Sequence, residues 1–124
     1  MHYIKYGKVS TNKSMNHSLG VHILRISQHP ILDFERGKPV SFTFDGIKIN
    51  AHDGETIAVA LHGASVRTLS RSAVKNRPRG LYCAIGNCSS CVMVVDGEAN
   101  IKTCTTLVRD GMVVQTQIGK GKLT

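Results

Sequence analysis

The chain has no tryptophan, only three tyrosines and three phenylalanines, and just four cysteines in 124 residues. No apolar run is long enough to cross a bilayer, which excludes a transmembrane segment. The N-terminus, Met1-His2-Tyr3-Ile4-Lys5, opens no apolar stretch of signal-peptide length, so a soluble, cytoplasmic chain is expected. Acids are scarce: eight Asp and Glu stand against sixteen Lys and Arg, a formal charge of +8. Such an excess raises nucleic-acid binding. No helix-turn-helix, RNA-recognition or zinc-finger pattern accompanies it, however, and no nucleic-acid partner is expected. Nor is there a catalytic constellation. Ser89 and Ser90 have no base at a recognisable spacing, and Gly119-Lys120-Gly121-Lys122 is too short for a phosphate loop. A chain of this length has room for one domain with a core but little for a substrate pocket as well. The expectation is a carrier that is not catalytic alone.

What is present is the arrangement Cys83-x4-Cys88-x2-Cys91-x12-Cys104, with three of the four cysteines inside one nine-residue loop. C-x4-C-x2-C followed by a distant Cys is the plant-type spacing for a 2Fe-2S centre, in which four thiolates hold two bridged irons. Three other readings compete. Two disulfides favour secreted chains, a structural zinc site usually shows two separated C-x2-C knuckles, and four unmetallated buried thiols would leave the spacing without a purpose. The cluster is the reading adopted, with Cys83, Cys88, Cys91 and Cys104 as its expected ligands.

The loop composition suits that chemistry. A short segment wrapping a compact inorganic core must turn its backbone N–H groups towards the sulfurs, and bulky residues would block this. Cys83-Ala84-Ile85-Gly86-Asn87-Cys88-Ser89-Ser90-Cys91 is mostly small. Gly80 and Gly86 stand where positive φ or close backbone approach is needed, and Asn87 also tolerates a left-handed conformation. A hairpin is expected to deliver the fourth cysteine. Val92-Met93-Val94-Val95 leads into Asp96-Gly97, a strong two-residue turn signal, and Glu98 to Lys102 returns beside it. Pairing Val95 with Glu98 places Val92 opposite Ile101 and brings Cys104 next to Cys91.

Upstream, Val40-Ser41-Phe42-Thr43-Phe44 alternates apolar and polar, Asp45-Gly46 turns, and Ile47-Lys48-Ile49-Asn50-Ala51 alternates again, so a hairpin with one buried face is expected. Beyond Asp53-Gly54 the period becomes helical, with Ile57, Ala60, Leu61 and Ala64 forming one stripe, Asp53 as N-cap and Gly63 as stop. A last strand follows Asp110-Gly111, from Met112 to Gln117. The order fits an α+β, beta-grasp architecture in which a mixed sheet packs on one main helix. Three regions are expected: an N-terminal arm at 1–36 that orders against a partner, a 2Fe-2S ferredoxin-like domain at 37–118, and a basic tail at 119–124. Val21 to Ile26 alternates weakly enough to add an edge strand. His2, His17, His22 and His29 match no metal spacing and read as surface or tail residues.

Several stretches carry a family resemblance: His29-Pro30-Ile31-Leu32, Phe42-Thr43-Phe44-Asp45-Gly46, Gly54-Glu55-Thr56-Ile57-Ala58, Arg77-Pro78-Arg79-Gly80-Leu81-Tyr82-Cys83 and Arg109-Asp110-Gly111-Met112. Over roughly residues 29 to 118 the chain resembles the small ferredoxin-like subunits of multi-subunit flavin-dependent amine and imino-acid dehydrogenases. This group takes in small subunits of hydrogen cyanide synthase, of proline or hydroxyproline dehydrogenases and of opine oxidases, and the related N-terminal domain of the sarcosine oxidase alpha subunit. The resemblance implies a beta-grasp 2Fe-2S subunit that passes single electrons from a partner flavin in a complex acting on a secondary amine or imino acid. It implies FAD on partner subunits rather than on this chain, a hetero-oligomer, and a cluster with one iron on Cys83 and Cys88 and the other on Cys91 and Cys104. The alternatives are a free-standing ferredoxin for another redox partner and a non-redox, zinc-stabilised basic interaction module.

Between Arg67 and Arg79 the chain carries Arg67, Arg71, Lys75, Arg77 and Arg79 without one acid, and it leads directly into the cysteine loop. A 2Fe-2S centre with four thiolates is anionic and more so when reduced, so nearby cations favour the reduced form. The same charges suit docking on an acidic partner face, and the bland alternative is a solvated connector. Arg77 and Arg79 are the docking candidates, because Pro78 and Gly80 hold them next to the loop.

Overall fold

The computed structural model describes residues 25, 26 and 28–121. β1 (Pro39–Phe44) and β2 (Ile47–His52) pair antiparallel in full register from Pro39 opposite His52 to Phe44 opposite Ile47. The turn between them puts Asp45 at φ 46 and Gly46 at φ 84, the left-handed pair a tight hairpin requires. The alternation read in the sequence sorts most of the faces as expected: Phe42, Phe44, Ile49 and Ala51 are buried and Val40 is half-buried, while Ile47, next to the turn, is exposed.

α1 (Ile57–Gly63) follows, one residue short of the predicted stripe, with Ile57, Ala60 and Leu61 fully buried against the sheet. Its N-cap is Thr56 rather than Asp53. The Thr56 hydroxyl accepts from Val59 N at 3.3 Å, whereas Asp53 and Gly54 are occupied by a turn in which Glu55 N donates to the His52 carbonyl at 3.1 Å. The C-cap is Ala64, one residue beyond the predicted stop at Gly63. A short ribbon comes next, β3 (Ser70–Arg71) with β4 (Pro78–Arg79), which periodicity did not reveal because two-residue strands have none. β5 (Val92–Val95), β6 (Glu98–Lys102) and β7 (Val113–Thr116) complete the chain.

The main sheet has the order β2-β1-β7-β5-β6, with β1 and β7 parallel and the remaining pairs antiparallel. It is a mixed five-stranded sheet on one helix, the α+β, ferredoxin-like fold expected. The core gathers Phe42, Ile57, Leu61, Leu69, Met93 and Val114. Each such side chain contributes about 1.5–3 kcal/mol on full burial.

The expected register of the second hairpin is only half right. Val95 faces Glu98, but Met93 faces Ile101 and Val92 faces Lys102, so β6 carries one extra residue. Asn100, at φ 62, absorbs it. Its N–H donates to Gln117 Oε1 at 2.7 Å and its Oδ1 accepts from Gln117 Nε2 at 2.8 Å, a tertiary pair that holds the bulge.

Of the N-terminal arm, Arg25 is fastened to the domain. Its guanidinium donates to both Glu55 oxygens, at 2.9 Å to Oε2, and to the Asn50 carbonyl at 3.3 Å. The strand suggested for Val21 to Ile26 lies outside the described residues except for Arg25 and Ile26, which are not in a strand, and His2, His17 and His22 lie outside them as well. His29 accepts from the N–H groups of Ile31 and Leu32 through Nδ1, closing a local turn. Among the described residues no helix is long and apolar enough to cross a membrane.

Candidate metal centre

The four cysteines arise from three pieces of backbone. Cys83 and Cys88 lie on the loop between β4 and β5, Cys91 immediately precedes β5, and Cys104 follows β6. β5 and β6 bring the last two together, and the extra residue in β6 does not prevent it: the Cys104 side chain is within hydrogen-bonding reach of Cys91. Cys83 and Cys88 form the other contact, with Cys88 N donating to Cys83 Sγ at 3.3 Å.

Backbone amides face the sulfurs, as a cradle for anionic thiolates requires. The N–H groups of Cys88, Ile85 and Asn87 all reach Cys83, and together with the Cys88 thiol they hold its thiol down at about 6. Gly86 N–H reaches Cys104, but there burial prevails, and with neighbouring Cys91 it pushes the Cys104 thiol up. Cys83 and Cys88 are half-buried, while Cys91 and Cys104 are 1% and 7% exposed. The thiols thus approach one another as two pairs, an outer and an inner one. Among the described residues no group of three or more Cys, His, Asp and Glu is drawn close enough to hold a single ion.

Gly86 sits at φ 82 and a Cβ there would meet the Thr105 methyl at 3.0 Å, so both conformation and space call for glycine. At Gly80 the constraint is space alone, since a Cβ would lie 2.9 Å from the Arg67 carbonyl. The left-handed residue inside the loop besides Gly86 is Ala84, at φ 58, and not Asn87. Small size serves here where an amide was expected.

The loop is fastened at several points. Thr103, fully buried, donates through Oγ1 to the Cys91 carbonyl at 2.7 Å, and its N–H meets the same oxygen at 3.2 Å. The Thr103 carbonyl in turn accepts from Ala58 N at 3.0 Å, tying Cys104 to the first turn of α1. Ser70 on β3 donates to the Ser90 carbonyl at 2.6 Å, and the Lys102 ammonium donates to the Gly86 carbonyl. Ser70, Thr103 and Lys102 carried no spacing signal in the sequence, since each acts through a contact that only the folded chain makes.

Outside the loop stands an apolar rim. Tyr82 is 86% exposed and Ile85 71% exposed, with Leu81 beside them. Arg77 and Arg79 are exposed at the base of the same segment and have no carboxylate partner among the described residues. Large apolar side chains rimmed by unpaired charge are what an interaction surface looks like.

Comparison with known proteins places the chain in a family. A family model for the 2Fe-2S iron-sulfur cluster binding domain matches residues 37–119. The hydrogen cyanide synthase subunit HcnA of Pseudomonas aeruginosa is 31% identical over 97 residues, covering 78% of this chain and 90% of that protein. Its counterpart in Pseudomonas protegens is 31% identical over 77 residues, 62% of this chain and 72% of that protein. Among solved structures, L-proline dehydrogenase from P. horikoshii superposes with a TM-score of 0.58 at 26% identity, covering 71% of this chain. The chain spans only 18% of that dehydrogenase chain.

Proposed function

The chain belongs to the family of 2Fe-2S iron-sulfur cluster binding domains, and from that premise we propose that it is the electron-transfer subunit of a dehydrogenase or oxidase complex whose partner subunits carry FAD. Cys83, Cys88, Cys91 and Cys104 are the proposed ligands, with the outer pair on one iron and the inner pair on the other. When bound, the cluster supplies a one-electron couple. The observation that carries the reading is the pairing of the four thiols, with backbone N–H groups turned onto Cys83 and Cys104.

The chain's own residues do three things in this reading. The loop amides stabilise thiolate charge, Thr103 and Ser70 hold the cradle open in one shape, and the rim of Leu81, Tyr82 and Ile85 with Arg77 and Arg79 docks the cluster-bearing loop onto an acidic face of a flavin subunit. The complex acts on a secondary amine or imino acid, of the proline, hydroxyproline, opine or sarcosine kind. The proline dehydrogenase neighbour supports that substrate class, and the HcnA relatives support a place in a multi-subunit enzyme.

Chemical analysis tests the core of this. Protein purified anaerobically should be brown, hold about two iron and two sulfide per chain, and give the electron paramagnetic resonance signal of a reduced 2Fe-2S centre. Cys88→Ala and Cys104→Ala should each abolish both absorption and spin signal. Colourless protein holding about one zinc per chain would assign the site to a structural metal instead, and intact signals in both variants would overturn the ligand set.

A further inference from the structure

Where the short ribbon meets β6 and the end of β7, a cavity of about 420 Å³ opens beside the cysteine loop. Four cations line it: Arg71 and Arg79 of the ribbon, Lys102 at the end of β6, and Lys120 beyond β7. No Asp or Glu lines it, and among the described residues the ion pairs involve only Arg25, His52 and Arg109, so no carboxylate matches any of the four. Lys102 is partly engaged by the Gly86 carbonyl and one Arg71 nitrogen by the Asn76 carbonyl. The remaining guanidinium N–H groups of Arg71, the Arg79 guanidinium and the Lys120 ammonium have no protein acceptor among the described residues. Like charges converging on one space repel, and a bound anion relieves the repulsion.

The rest of the lining narrows the ligand. Ser89 adds a hydroxyl and Asn100 an amide, so neutral donors stand among the charged ones. The lining has no aromatic ring on which a base could stack, and apart from the carbon stems its apolar members are Ala73 and Val92. The volume falls in the range of small-molecule sites. Two arginine forks and two ammonium groups suit the charge and the several oxygens of phosphate better than one carboxylate.

We propose that this cavity binds a compact phosphorylated small molecule through its phosphate groups, gripped by Arg71, Arg79 and Lys120. The site is separate from the thiol cradle and does not depend on the electron-transfer role. Arg79 lines it and Arg77 does not, so Arg79 borders both this cavity and the docking rim, whereas Arg77 belongs to the rim alone.

Calorimetric titration of the purified full-length chain with inorganic pyrophosphate at low ionic strength tests the proposal. Saturable binding at one site is expected, weakening as salt rises. Arg71→Ala and Lys120→Ala should each lower the affinity about tenfold, the loss of one charge-assisted contact, with unchanged circular dichroism. Should Arg71→Ala disturb the ribbon through its bond to Asn76, Lys120→Ala alone carries the test, since Lys120 has no acceptor among the described residues. Absence of saturation by pyrophosphate, or affinity unchanged in Lys120→Ala, would overturn the assignment. So would a glutamate-rich peptide that binds with the same dependence on Arg71 and Lys120 while pyrophosphate does not, since that result gives the surface to an acidic protein.

Discussion

Glu55 shows how one carboxylate joins distant parts of the chain. Burial opposes its ionisation, but the Arg25 guanidinium, the His52 N–H and the nearby His52 ring outweigh that and hold its carboxyl below the usual glutamate value. Because the folded form is the more acidic one, the stability it contributes is present above the ordinary glutamate range and is lost as pH falls through the lowered value. Glu55→Gln should therefore cost about 1 kcal/mol near neutral pH. The difference from wild type should shrink towards zero in acid, as denaturant titrations at several pH values would show. An equal cost at every pH would mean that shape rather than charge is what Arg25 recognises.

At the scale of elements the second hairpin matters most, since it delivers Cys104 to Cys91. Asp96 at φ 49 and Gly97 at φ 83 form its turn, and nothing crowds a Cβ at Gly97, so the constraint there is purely one of backbone conformation. Gly97→Val should destabilise the domain by roughly 1–3 kcal/mol and lower iron content per chain although no ligand is touched. Full iron content with an unchanged melting temperature would show that the turn is not what places Cys104. The same hairpin marks where sequence reading stops. Its Asp-Gly turn, like the one at Asp45-Gly46, is a local signal and was legible. The register was not, because the bulge at Asn100 is held by Gln117, seventeen residues away. The N-cap shows a related ambiguity: Asp53 and Thr56 are both good caps, and the turn at Asp53-Gly54 leaves the role to Thr56. The cysteine loop was legible because its spacing is itself the chemistry, whereas the Tyr82 and Ile85 rim was not, since apolar residues in a run say nothing about exposure until the fold is known.

For the whole molecule the uneven charge is the dominant feature. No acid occurs from Thr56 through Val95, the stretch that holds Arg77, Arg79 and three of the cysteines. If that face meets an acidic flavin subunit, Arg77→Glu with Arg79→Glu should leave iron content intact while slowing dye or quinone reduction by the reconstituted complex, with a defect that depends on ionic strength. A wild-type rate at low salt would remove the docking role from both residues. The strand order has a different consequence, for the order of events at the ribosome. β7, the final strand of the sheet, lies at its centre, so within the sheet the hairpin of β1 with β2 and the hairpin of β5 with β6 touch only through it. During synthesis the three loop cysteines leave the exit tunnel before the strand that joins the two halves exists, and domains fold as units once their parts are present. The sheet that backs the cysteine loop can therefore close only once Val113–Thr116 has emerged.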